Sequence, residues 1–261
     1  MTMNPQPQGE AKMAEGRVAL ITGGGSGIGR ETALLLAARG WRVGVIDRDG
    51  AAAEAVAAET AGGAEAADVA DEAAIEAAVT TLAGRLGPPA GLVNSAAIAV
   101  LLPAMETEAA QFRRTLDVNV VGSFLAARAA ARLMRAHGGG AIVNIASVSG
   151  LRGNVDRLAY GASKAAVVQM TQILAVEWAE AGVRVNAVAP GPVETPLAAA
   201  IHPAAMRQAW VGATPMHRYA APREIATAIA FLLDPEQSGY VTGACLPVDG
   251  GFLAGGLLRP R

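Results

Sequence analysis

Tyr160 and Lys164 stand four residues apart in "LAYGASKAAVV", residues 158–168, and on a helix that spacing puts both side chains on one face. The lysine is unusual for this chain. Lys12 and Lys164 are its two lysines, and every other cationic side chain is Arg. A tyrosine beside an ammonium is a candidate acid/base pair. Free Tyr ionises near pH 10, so proton transfer near neutrality asks for a lowering of roughly 3 units, about 4 kcal/mol. An ammonium about 4 Å away at an effective dielectric constant of about 20 supplies roughly that much. Lys also places a compact point charge under the ring, where the Arg fork is broader. The spacing alone equally describes two ordinary helix neighbours.

A second pattern, "ITGGGSGIGRETA" at 21–33, sets Gly23, Gly27 and Gly29 in the order G-x-x-x-G-x-G between an apolar run and a helical one. Glycines let the backbone approach a pyrophosphate, and the free N–H groups and positive dipole of a helix start attract it. Ser26 and Ile28 lie inside this turn. The competing reading is a tight turn with no ligand. Asp47, about 20 residues further on, ends the next apolar run. It is placed either to accept from the adenosine ribose hydroxyls of a dinucleotide or to cap the following helix. On a ribose, its charge repels a 2′-phosphate by several kcal/mol at about 5 Å, which favours NAD(H) over NADP(H). Arg48 is the competing signal for a phosphate, while Ser26 adds no second positive charge.

Positioning these groups requires a regular frame, and the chain spells one. Short β-branched runs at 17–23, 41–47, 64–69, 90–97, 140–147, 183–191 and 244–251 read as strands. Ala-rich stretches at 29–40, 51–62, 71–87, 108–137, 160–181 and 222–234 read as helices between them. Asp71 is placed as a helix cap, and Gly40 and Gly182 as stops. This alternation predicts an α/β fold, a Rossmann-type doubly wound parallel sheet of about seven strands with helices on both faces. We expect a loose polar tail at 1–15 and a single domain over 16–261. Residues 192–221 are its longest irregular piece and serve as a lid, a binding loop or short helices.

Composition excludes several classes. Net charge is −2, which leaves no electrostatic footprint for nucleic acid, and no basic amphipathic stretch reads as a membrane anchor. No run of about 18 uncharged apolar residues suggests a membrane span. The start, Met1–Glu15, lacks the apolar core of a signal peptide. Cys245 is the single cysteine, so no intrachain disulfide forms and a reducing, cytoplasmic location is expected. His137, His202 and His217 show no metal-ligand spacing and read as surface or loop residues; no metal is expected. Arg152, Asn154, Asp156 and Arg157 read as solvated loop charges, with binding of a polyol or carboxylate as the alternative. Ile201, Met206, Trp210 and Met216 form either an apolar lid or its packing against the body.

Taken in order, "TGGGSGIG" at 22–29, "DV" at 68–69, "NSAA" at 94–97, Asn119 in "LDVNVVG", Ser147 in "NIASVSG", "YGASK" at 160–164 and Pro190-Gly191 before "VETP" resemble the short-chain dehydrogenase/reductase family, from about Arg17 to Phe252. The resemblance implies an NAD(H)-dependent interconversion of a secondary alcohol and a ketone. In it Tyr160 is the acid/base, Lys164 binds the nicotinamide ribose and lowers the Tyr160 pKa, and Ser147 bonds the substrate oxygen. Asn119 kinks a helix and holds a water in the proton relay. It also implies cofactor contacts from Gly23, Ser26, Gly27, Ile28, Gly29, Asp47, Asp68, Val69, Asn94, Pro190, Gly191, Val193 and Thr195. Asn94-Ser95-Ala96-Ala97 departs from the family's Asn-Asn-Ala-Gly. The relatives commonly form homotetramers through the two long helices near 108–137 and 160–181. An NADPH-dependent ketone or 3-oxoacyl reductase and a non-catalytic cofactor-binding protein are the alternatives.

Overall fold

The computed structural model describes residues 16–255; the expected tail at 1–15 lies outside them. Seven strands form one parallel sheet: β1 Val18–Thr22, β2 Arg42–Asp47, β3 Gly63–Ala66, β4 Pro89–Asn94, β5 Gly140–Ile145, β6 Val183–Pro190 and β7 Cys245–Val248. Their order is β3-β2-β1-β4-β5-β6-β7. The chain therefore reverses its direction of travel across the sheet between β1 and β4, and a crevice opens there at the carboxyl ends of the strands. Every residue of β1 is buried. Its side chains alternate between two cores, as the two-residue period of a strand dictates. Val18 and Leu20 pack with α3 (Glu72–Leu86) and α5 (Ser123–Ala136), whereas Ala19 and Ile21 pack with α1 (Gly27–Ala38), α2 (Gly50–Thr60) and α9 (Pro222–Leu233). Burial on both faces explains why the strands read as continuous apolar runs.

Helix ends follow local chemistry. Asp71 accepts from the Ala74 amide and caps α3 as expected. Asp49, rather than Asp47, caps α2 by accepting from the Ala52 amide, so the capping alternative for Asp47 is removed. The long helix expected over 108–137 is three pieces. It comprises α4 (Ala109–Leu116), a wide π turn over Asp117–Gly122, and α5. The π turn places Asn119 inward, fully buried, and wide turns of this kind are frequent at functional sites. Helix α6 runs Leu158–Trp178 and carries Tyr160 and Lys164. The irregular stretch at 192–221 contains two short helices, α7 (Pro196–Ile201) and α8 (Ala204–Ala213). No helix among the described residues is long and apolar enough to cross a membrane.

Candidate active site

The glycine turn joins β1 to α1. Gly23 and Gly27 have φ of +62° and +53°, where glycine is favoured. A Cβ on Gly23 would lie 2.6 Å from the Ala96 backbone, and one on Gly29 would lie 2.2 Å from the Gly23 carbonyl oxygen. Gly23 thus lets the turn pass the segment after β4, and Gly29 lets α1 pack under the turn. Ser26 is the N-cap residue of α1, yet its side chain makes no capping bond, so the helix start keeps its amides for an anion. Gly23, Ser26, Gly27 and Ile28 line a cavity of about 470 Å³ with Asp47, Asp68, Val69, Ser95, Ala96, Ala97, Tyr160, Lys164 and Thr195, whereas Gly29 is buried behind the turn and does not border it. The bare helix start, the glycine cradle and the carboxylate of Asp47 at the far end fit a dinucleotide.

Asp47 accepts from the Gly25 amide at 3.0 Å and from the Asp49 amide at 3.1 Å. Those bonds aim its carboxylate at the cleft and leave lone pairs for ribose hydroxyls. Arg48 lines the same end. Asp68 accepts from the Ala70 amide and from Arg114, which lies 2.7 Å away. The Ala70 amide and then Arg114 hold its carboxyl below the ordinary carboxylate range. Arg114 carried no sequence signal; it reaches Asp68 and the cavity wall from α4.

Asn94 does not line the cavity. Its Nδ2 donates to Asn144 Oδ1 and to the Ser123 carbonyl, both at 2.9 Å, and it is 3% exposed. The register Thr22–Asn94–Asn144 across β1, β4 and β5 turns its amide into the interior. Asn94 supports the cleft floor, and the neighbouring Ser95, Ala96 and Ala97 face the cleft instead.

Asn119 grips the chain beyond β4. Its Oδ1 accepts from the Ile98 amide at 2.8 Å, and its Nδ2 donates to the Ile98 carbonyl at 3.0 Å and to Ser163 Oγ at 2.9 Å. The side chain therefore holds the cleft wall to α6 and has no donor left for a solvent path.

Lys164 is 3% exposed and donates from Nζ to the Ile145 carbonyl at 2.7 Å. Burial pushes its amine down to about 8. The Nζ lies 5.8 Å from the Tyr160 ring centroid. Burial raises the Tyr160 hydroxyl above its usual value, while the neighbouring Ser147 hydroxyl and the Arg157 charge pull the other way. The expected lowering by Lys164 is thus not what the protein's own groups produce, because desolvation of the phenolate outweighs them.

A second cavity, about 110 Å³, opens beside the first. Ile28, Ile145, Tyr160, Thr195 and Leu197 border both. Ser147 and Ser149 sit on its floor just past β5, with Pro190, Gly191 and Val193 on the β6 side. Ser147 Oγ accepts from the Ser149 amide at 3.1 Å. Thr195 caps α7 by accepting from the Ala198 amide, so its side chain sits at the junction of the two cavities. Ile201 and Trp210 line this space, while Met216 is 64% exposed.

Two expectations about this region are overturned. Arg157 is not a solvated loop charge but lies 8% exposed on the cavity wall, and His202 is equally buried beside it. Neither has a local sequence signal, because each is buried by the fold of residues distant in the chain. Among the described residues no cluster of three or more His, Cys, Asp or Glu is arranged to hold a metal.

The matches to known proteins follow the same outline. Residues 23–253 match the family described as Enoyl-(Acyl carrier protein) reductase. Galactitol 2-dehydrogenase (L-tagatose-forming) of Cereibacter sphaeroides is 47% identical over 91% of this chain and 95% of its own. The crystal structure of levodione reductase superposes with a TM-score of 0.88 at 37% identity, covering 92% of this chain and 98% of that one. The 3-ketoacyl-(acyl-carrier-protein) reductase from Brucella melitensis, solved with NADH, gives 0.86 at 39% identity over 91% and 98%. With a parallel sheet that reverses at β1 and β4, a glycine turn on its crevice and matches across nearly all its length, the chain belongs to the short-chain dehydrogenase/reductase family, oxidoreductases acting on CH–OH groups through a nicotinamide cofactor.

Proposed function

We propose that the chain is an NAD(H)-dependent dehydrogenase that interconverts a compact secondary alcohol and its ketone. The observation that carries this reading is the position of Tyr160. It borders both cavities, with Lys164 on the dinucleotide side and Ser147 on the other. When bound, the nicotinamide supplies the site that accepts or donates hydride. The chain's own residues handle the proton. In oxidation the Tyr160 phenolate takes the hydroxyl proton of the alcohol; in reduction the phenol returns it to the alkoxide. Ser147 orients the substrate oxygen. Lys164 supplies the buried positive charge beside the ribose and tyrosine, and Asn119 positions the cleft wall. The small second cavity supports a compact substrate, consistent with relatives named for a polyol and a cyclic dione.

Preference for NAD(H) rests on Asp47, whose carboxylate is aimed into the cleft by two backbone amides. Arg48 at the same end supports the rival NADP(H) reading. We also propose a cytoplasmic homotetramer built through α5 and α6. Ile173 and Val176 on α6 are 47% and 79% exposed and suit a partner surface; size-exclusion chromatography tests it.

The test of function is a panel of secondary alcohols, polyols and hydroxy acids with NAD and NADP, followed by nicotinamide absorbance. We expect turnover with NAD, and a loss of about 10³-fold or more in Tyr160→Phe with NADH binding kept. Undiminished turnover in that variant, or none with any alcohol in the unaltered chain, would overturn the proposal.

A further inference from the structure

Arg157 immediately precedes α6 and is folded inward by its neighbours. Asp156 has φ of +60°, and its carbonyl accepts from the Leu102 amide at 3.1 Å. This turns the next side chain into the second cavity. The guanidinium carbon lies 5.3 Å from the Trp210 ring centroid and 5.9 Å from that of Tyr160. Its one side-chain hydrogen bond among the described residues runs from Nη2 to His202 Nε2 at 2.6 Å.

That bond defines the imidazole. A guanidinium can only donate, so Nε2 accepts and Nδ1 carries the proton. Nδ1 then donates to the Tyr219 hydroxyl at 3.0 Å. Burial, with the nearby Arg157 and Arg207 charges, pushes His202 down to about 4, so it stays neutral and gives Arg157 no counter-charge. Among the described residues no carboxylate lies within 4.0 Å of Arg157, although ten other Arg–carboxylate contacts are made in the fold. No Arg157 nitrogen is enclosed without a partner, so its remaining N–H groups open on the cavity it lines.

Asp156 acts on Arg157 only from beyond 4.0 Å, so a buried cation whose one bonded partner is neutral, beside the reacting hydroxyls, is a site that can take an anion. Beyond these groups and the hydroxyls of Ser149 and Thr195, most of the lining, including Ala99, Val148, Leu197 and Ile201, is apolar. We propose that Arg157 is a carboxylate subsite: the substrate is a short hydroxy acid, or the matching oxo acid. Its carboxylate pairs with Arg157 while its reacting oxygen meets Ser147 and Tyr160. The planar fork suits a carboxylate held in two parallel bonds, and the small cavity suits a chain of few carbons. This deepens the proposed dehydrogenase reading and rests on it.

The test compares each of 2- and 3-hydroxybutyrate with its methyl ester in the unaltered chain, Arg157→Gln and Arg157→Lys. We expect kcat/KM to favour at least one acid over its ester by about 100-fold. That ratio should fall to about unity in Arg157→Gln and be partly kept in Arg157→Lys. A merely structural role lowers acid and ester together and leaves the ratio alone. An unaltered chain that does not prefer either acid, or a ratio unchanged in Arg157→Gln, overturns the subsite. Binding separates this outcome from failure of the dehydrogenase reading. With NADH present, butyrate should quench Trp210 fluorescence saturably and butyramide should not, with Trp210→Phe as the control for the other tryptophans. Quenching lost in Arg157→Gln supports the subsite even when no alcohol turns over. Absence of butyrate binding overturns it even when neutral alcohols are oxidised.

Discussion

Lys164 donates from Nζ to the Ile145 carbonyl across 2.7 Å and so ties α6 to the end of β5. The amine, pushed down to about 8, remains mostly protonated at neutral pH. The side chain is 3% exposed, and a longer, planar guanidinium at this position puts its charge further along and spreads it over three nitrogens. Lys164→Arg keeps a charge but cannot place it at the same point. We expect a folded protein whose kcat/KM falls about 100-fold or more. Near-normal rates would show that positive charge alone suffices.

Asp47 offers a test of cofactor choice in which charge is separated from shape. Asp47→Asn retains an oxygen for one of the Gly25 and Asp49 amides and loses the negative charge. The repulsion of a 2′-phosphate at about 5 Å is worth several kcal/mol before screening. Allowing for solvent at this partly exposed site, the ratio of kcat/KM for NAD over NADP should drop by about 10-fold or more. A ratio unmoved by Asp47→Asn, measured with one alcohol and both cofactors, assigns the preference elsewhere, with Arg48 as the next residue to alter.

Much of this arrangement is legible in the sequence because buried parallel strands leave a direct imprint. All five residues of β1 are apolar or β-branched because both faces are covered. The glycine turn and the Tyr160–Lys164 spacing are local patterns, readable without knowing what packs against them. The remainder depends on contacts between distant segments. Asn94 looks like its neighbours in a cleft-lining motif, but its direction is set by Thr22 and Asn144 on other strands. The π turn at Asp117–Gly122 sits inside an unbroken helical pattern. Arg157 and His202, 45 residues apart, are charged or polar loop residues by any local criterion; only the fold, which brings α7, α8 and the segment after β5 around one cavity, buries them together.

Asn144 tests the polar row beneath the cleft. Its Oδ1 accepts from Asn94 and its Nδ2 donates to Thr171 Oγ1, each at 2.9 Å, with no exposure to solvent. Asn144→Ala strands a donor on Asn94 and an acceptor on Thr171. Two buried groups left without partners should cost about 3 kcal/mol, lowering Tm by on the order of 10 °C. A change of less than about 1 kcal/mol in urea unfolding would mean that water replaces the lost amide.

His202 links the second cavity to stability in acid. Its imidazole accepts from Arg157, so protonating it sets two cations 2.6 Å apart. Its pKa is about 4 in the folded chain, against 6.5 for an ordinary histidine. Between these values the unfolded chain binds a proton that the folded chain refuses, so stability rises with pH across this window. The contribution is complete above about 6.5 and declines as pH falls toward 4. From pH 7 to pH 5 this one group should remove about 2 kcal/mol. His202→Gln keeps an acceptor for Arg157 and does not titrate. Urea unfolding of both proteins at the two pH values isolates the effect, since the other titrating groups are shared. The variant should lose about 2 kcal/mol less than the unaltered chain over that interval. Equal losses would show that His202 takes up its proton in the folded state at the ordinary pH, and that Arg157 has another acceptor in solution.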